Sequence, residues 1–140
     1  EVARLLAEAT DGEDTNLIVA GLLHDSIEDQ GVLHEDLVSA FNQDIADLVQ
    51  EVTDNKSLEK AERKRLQVVN APHKSDRAKM LKIADKTTNL RALTQSPPPD
   101  WEPERRRAYF TWARDVVAGC RGVNARLEAA FDEAWKAGVL

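Results

Sequence analysis

The sequence predicts an all-α domain. Apolar residues recur at helical spacing along almost the whole chain, runs that alternate apolar and polar residues are nearly absent, and aromatic residues make up only 5%. With 140 residues, 42% hydrophobic and 31% charged, the chain is long enough to bury a core of its own and has the balance of a soluble globular protein. We read residues 1–140 as one domain.

Residues 1–9 carry the periodicity of the end of a helix, and Asp11 and Gly12 make the turn after it. Seven apolar or small residues, Leu17 to Leu23, lie within a buried helix expected over 16–25, with Gly31 ending the segment that follows. Short helices are expected over 34–41 and 43–54, and a basic one over 59–69 before Ala71 and Pro72 interrupt. Ser75 is a suitable N-cap for a long helix over 76–93, which the run Ser96, Pro97, Pro98, Pro99, Asp100 must end. Another long helix, 103–119, starts with Pro103 in its first turn, and Gly122 separates it from a last helix over 124–137.

Charge is unevenly spread. The net charge is −6, which argues against general nucleic-acid binding, yet residues 8–59 hold 14 acidic groups against Lys56 alone. Residues 60–86 hold nine basic groups against three acidic ones. That asymmetry suits a cation site beside an anion site, and equally two solvated faces of opposite sign. Cys120 is the sole cysteine, which excludes an internal disulfide framework or a cysteine-cluster zinc site and fits a cytoplasmic protein. No apolar run approaches the ~20 residues of a membrane span.

The stretch GLLHDSIEDQG places His24, Asp25, Glu28 and Asp29 at the end of the buried helix. His24 and Glu28 lie four apart on one face, as do Asp25 and Asp29. Burying several ionisable groups without partners is costly, and a divalent cation accepts imidazole and carboxylate together. Mixed nitrogen and oxygen donors suit manganese, iron or zinc rather than calcium, while a partly exposed helix end with capping charges explains the spacing equally well. In KMLKIADKTTNLRAL, Met80, Ile83, Thr87 and Leu90 share one side, flanked by Leu81 and Ala84. Lys82, Asp85 and Asn89 form a narrow stripe opposite, placed to complete a site or simply to face solvent.

Taken together, LLHDSIED and, some 60 residues later, ADKTTNL resemble the HD-domain phosphohydrolases. The likeness is to the RelA/SpoT type that removes diphosphate from the alarmone (p)ppGpp, and within it to the small stand-alone hydrolases of the metazoan SpoT homologue type. It extends through LVQEVTDNKSLEKAERKRLQVVNAPHKS and through Trp101, Tyr109, Trp112, Val116, Val117, Gly122, Asn124, Leu127, Glu128 and Phe131, covering essentially the whole chain. The resemblance implies a helical bundle and a manganese ion held by His24, Asp25 and Asp85. It implies that Glu28 and Asp29 position and deprotonate the attacking water, and that Lys60, Asn89 and Tyr109 touch the nucleotide. Tyr109 also sits at helical spacing with Trp112 and Val116, which suits core packing. Lys82 and Lys86, with Arg63 or Lys79, are expected to offset phosphate charge. The family pattern has an earlier histidine, expected three residues before Glu1, and a basic stretch upstream, so the chain is expected to be truncated at its N-terminus.

The expected activity is hydrolysis of the 3′-diphosphate of (p)ppGpp to GDP or GTP. Other ribose-phosphate nucleotides such as NADPH are the nearest alternative, and a catalytically silent nucleotide-binding regulator is a more distant one. A small guanine nucleotide is the expected partner, without nucleic acid or membrane. His34, His73 and Cys120 are read as surface, turn and packing residues, and Arg105, Arg106 and Arg107 as a solvated first turn.

Overall fold

A computed structural model describes residues 1–27 and 31–139, the side chains of 25–27 excepted. Among the described residues it is all helical: α1 (Val2–Ala9), α2 (Thr15–Ile27), α3 (His34–Ala40), α4 (Gln43–Val52), α5 (Lys60–Asn70), a 3-10 turn (Ala71–His73), α6 (Asp76–Gln95), α7 (Pro103–Ala118) and α8 (Ala125–Gly138). The predicted helices are present, with ends shifted by local chemistry. Asp14 accepts the backbone N–H of Leu17 at 3.1 Å, so α2 starts one residue earlier than the apolar pattern suggests. Ala71 and Pro72 tighten the chain into the 3-10 turn instead of breaking it.

α6 is the axis of the bundle. Ser75 Oγ accepts the N–H of Ala78 at 3.2 Å and so caps a 20-residue helix that runs until the residue before Ser96. It packs against α1, α2, α4, α7 and α8. Met80, Leu81, Ile83, Ala84, Thr87 and Leu90 are buried as predicted, with the Thr87 hydroxyl donating to the Ile83 carbonyl at 2.8 Å. Lys86 is buried as well, only 3% exposed, so the buried face is wider than the helical wheel implies.

Two devices fix α2 in the bundle, one against α1 and one at the start of α6. Gly21 lies against α1 so closely that a Cβ there would sit 2.7 Å from Leu6 Cδ1. Arg77, at the start of α6, donates to Asp14 from Nε and Nη2 at 2.9 and 2.8 Å, and to Asp44 of α4 from Nη1 at 2.8 Å. Asn16 Nδ2 adds a bond to Asp44 at 2.9 Å. Arg77 therefore ties three helix beginnings together by charge-assisted bonds.

His34 lies on the surface beside Asp47 at 2.7 Å, His73 is in the 3-10 turn, and Cys120 is packed at 1% exposure. The expectation for the arginines fails in part. Arg106 Nη2 donates to the Gly138 carbonyl at 3.1 Å, joining α7 to the end of α8, and Arg105 lies over the Trp101 ring. The proline loop turns Trp101 back over α7, which no local pattern announces. No described helix is long and apolar enough to cross a membrane.

Candidate active site

The stripe on α6, the end of α2, one face of α5 and one face of α7 converge on a cavity of about 380 Å³. α2 brings His24, 5% exposed, in its last turn. α6 brings Lys82, Asp85, Lys86 and Asn89, and α5 brings Lys60, Arg63, Lys64 and Gln67 at the spacing of one helical face. α7 brings Arg105, Tyr109 and Trp112, and the proline loop adds Trp101. Seven of the predicted site residues, His24, Asp85, Lys60, Lys82, Lys86, Asn89 and Tyr109, thus line one space.

Asp25 follows His24 in α2, but its side chain lies outside the described residues, as do Glu28 and Asp29 entirely. Among the described residues no three His, Cys, Asp or Glu side chains form a metal-holding group.

Lys86 meets the site from beneath. Its Nζ lies 3.7 Å from Asp85 Oδ2 and 3.9 Å from the centre of the Trp112 ring. The ring face offers a buried ammonium an electrostatic partner where solvent is excluded. Asn89 Nδ2 donates to the Tyr109 hydroxyl at 2.9 Å, and the packing expected of Tyr109 is present: its ring lies 5.3 Å from Trp112 and 6.0 Å from Trp101.

The lining is strongly positive, with Lys60, Arg63, Lys64, Lys82, Lys86 and Arg105 against Asp54 and Asp85. Burial, and then the charges of Lys60 and Arg105, hold the Lys64 ammonium below its ordinary value. Its Nζ lies 4.8 Å from the Trp112 ring centre, while Trp112 Nε1 donates to the Lys64 carbonyl at 3.1 Å. Such a lining attracts anions. Sequence reasoning missed Lys64, Trp101, Arg105 and Trp112 as lining residues. The spacing from Lys60 to Lys64 and from Arg105 to Tyr109, four residues each, was the available signal.

An all-helical bundle in which α2 and the central helix bring His24 and Asp85 to one cavity is the frame of an HD domain, and the chain belongs to the HD domain family, which it matches over residues 1–114. It is similar to the guanosine-3′,5′-bis(diphosphate) 3′-pyrophosphohydrolase MESH1 of Xenopus tropicalis, 47% identical over 131 residues that cover 94% of this chain and 73% of that one. The enzyme of the same name from Drosophila melanogaster is 50% identical over 123 residues, 88% of this chain and 69% of that one. A solved structure described as a metazoan ortholog of SpoT that hydrolyzes ppGpp and plays a role in starvation responses matches with a TM-score of 0.90 and 47% identity, covering 96% of this chain and 76% of that one.

Proposed function

We propose that the chain is a cytoplasmic hydrolase that removes the 3′-diphosphate of guanosine 3′,5′-bis(diphosphate) and its triphosphate analogue, with manganese held by His24, Asp25 and Asp85. The observation that carries this reading is the single cavity in which an imidazole and a nearly buried carboxylate meet a wall of cations and aromatic rings. The activity named for these relatives supports the substrate.

The donor chemistry fits a borderline divalent ion. His24 offers nitrogen, and the Asp85 carboxylate is 13% exposed, with Lys86 at 3.7 Å, farther than a charge-assisted hydrogen bond of about 2.7–2.9 Å. When bound, the ion supplies Lewis acidity towards a phosphoryl oxygen and lowers the pKa of water. Glu28 and Asp29 orient the attacking water and accept its proton. Water forms the new bond to phosphorus, the bond to the ribose 3′ oxygen breaks, and that oxygen regains a proton, giving GDP or GTP plus diphosphate. Lys60, Lys64, Lys82 and Arg105 offset the substrate's charge, and the bond between Asn89 and Tyr109 holds both side chains in place beside it.

The test is diphosphate release by the full-length protein with manganese from a panel of ppGpp, pppGpp and NADPH. Preference for the guanine nucleotides is expected. Release of orthophosphate from NADPH alone would move the activity to that nucleotide, and tight ppGpp binding without turnover would make the protein a sensor. Glu28→Gln should retain manganese and lose turnover; metal loss equal to that of Asp85→Ala would break the division of roles.

A further inference from the structure

A second chamber, about 160 Å³, lies against the active cavity and shares Val52, Asp54, Arg63, Gln67 and Lys82 with it as a common wall. It is bounded by the end of α4, the segment 53–58, the outer side of α5 and the start of α6, where Lys79 lines it without reaching the active cavity. We propose that this chamber is a separate site for a compact phosphate-class anion, diphosphate foremost. The proposal rests on the hydrolytic reading only in naming the reaction's own product as one source of that anion.

Four cations, Arg63, Lys74, Lys79 and Lys82, line the chamber against two carboxylates, Glu51 and Asp54, so its lining is net positive. The carboxylates are held by neutral donors: Glu51 accepts the N–H and the hydroxyl of Ser75, each at 2.7 Å, and Asp54 accepts Gln67 Nε2 at 2.6 Å. Lys74 Nζ donates to the Glu51 carbonyl at 2.9 Å. Among the described residues, Arg63, Lys79 and Lys82 form no ion pair, although all three are half-buried and line this chamber. Arg63 Nε and Gln67 Oε1, on residues of the wall common to both chambers, are buried without a hydrogen-bond partner. A buried guanidinium N–H is costly to leave unmade, and an anionic acceptor satisfies it.

Size and polarity narrow the ligand. Nucleotide-sized ligands need cavities of roughly 300 Å³ or more, which excludes them here, whereas a single water needs only about 10–15 Å³. Val52, Ala78 and Cys120 form an apolar floor, which lowers the local dielectric and strengthens the field of the lysines on a small anion. Arg63 and Lys82 line both chambers, so a diphosphate leaving the active cavity keeps the same two cations beside it.

The experiment is calorimetric titration of full-length, metal-free protein with inorganic diphosphate, so it needs no turnover and is independent of the proposed reaction. Saturable binding is expected. Lys79→Gln should weaken it about tenfold, while Lys60→Gln, which alters only the active cavity, should change it by less than about twofold. Asn70→Trp, filling the chamber from the exposed end of α5, should abolish it without removing charge. Orthophosphate binding as tightly as diphosphate would keep the site and assign it to free phosphate. In turnover, added diphosphate should inhibit noncompetitively against nucleotide. The proposal is overturned by absence of saturable binding, by greater weakening in Lys60→Gln than in Lys79→Gln, or by purely competitive inhibition that Lys79→Gln leaves unchanged.

Discussion

The two helices that face each other across the cavity are held in opposite ways. α6 buries nine of its residues and packs against five other helices, whereas α5 buries none fully and rests mainly on α7 and the 3-10 turn. Asp85 and Asn89 stand on the fixed helix, and Lys60, Arg63 and Lys64 on the loosely held one. The division has a physical basis. The coordination proposed for Asp85 and the hydrogen bond of Asn89 fail within a fraction of an ångström, so their donors need a rigid support. Charge attraction falls only gradually with distance, so the cations tolerate a support that shifts.

The strongest test removes chemistry from the fixed side. Asp85→Ala should lower kcat/KM about a thousandfold or more, roughly 4 kcal/mol of transition-state stabilisation, and abolish manganese binding measured by calorimetry. Activity within tenfold of the parent would show that the rigid helix does not carry the reaction.

The next test loosens the other side. A Cβ on Gly119, just past α7, would lie 2.8 Å from Pro72 Cδ, 2.9 Å from Ala71 Cβ and 3.0 Å from the Pro72 nitrogen. Backbone cannot yield as a flexible side chain does, so Gly119→Ala should cost about 1–3 kcal/mol in denaturant unfolding by displacing the turn on which α5 rests. Amide exchange should quicken in α5 more than in α6. Equal quickening in both would show that α5 is not held separately.

A smaller effect is expected where a single charge is removed. Lys60→Gln should raise KM about tenfold, leave kcat within about twofold, and reduce the salt dependence of kcat/KM. A fall in kcat with unchanged KM would place Lys60 with the reacting groups and erase the contrast between the two helices.

The fixed side was legible in the sequence and the loose side was only half so. His24 and ADKTTNL sit on helices whose faces follow from periodicity, and Asp85 and Asn89 line the cavity as the helical wheel implies. Lys86 escapes that logic. Its burial is decided by Trp112 arriving from another helix, and 100° per residue carries no information about what covers a face. Trp101 and Arg105 depend on how the proline loop folds back over α7, a tertiary outcome that composition marks only as a loop. The acidic and basic halves were visible as charge, but their meeting around one cavity was not.

The fixed side also carries a pH signature. The Arg77 guanidinium, as hydrogen-bond donor, holds the Asp14 and Asp44 carboxyls below their ordinary value of 3.8, with the Leu17 N–H aiding the first and Asn16 the second. The folded chain therefore binds fewer protons at these groups than the unfolded chain does. Their stabilisation is fully present above the unfolded value of 3.8 and is lost as pH falls through it towards the lower folded values. Because these side chains are 30% to 45% exposed, solvent screens the pairs. The net worth at neutral pH should be only about 1 kcal/mol, and less in high salt. Arg77→Met should show that deficit against the parent at pH 7 in denaturant unfolding, and the two curves should converge in acid, once the pH has fallen below the lowered folded values. A gap that persists unchanged in acid would mean that Arg77 holds α2 and α4 on α6 through its aliphatic stem and not its charge. The rigidity of the fixed helix would then be a matter of packing throughout.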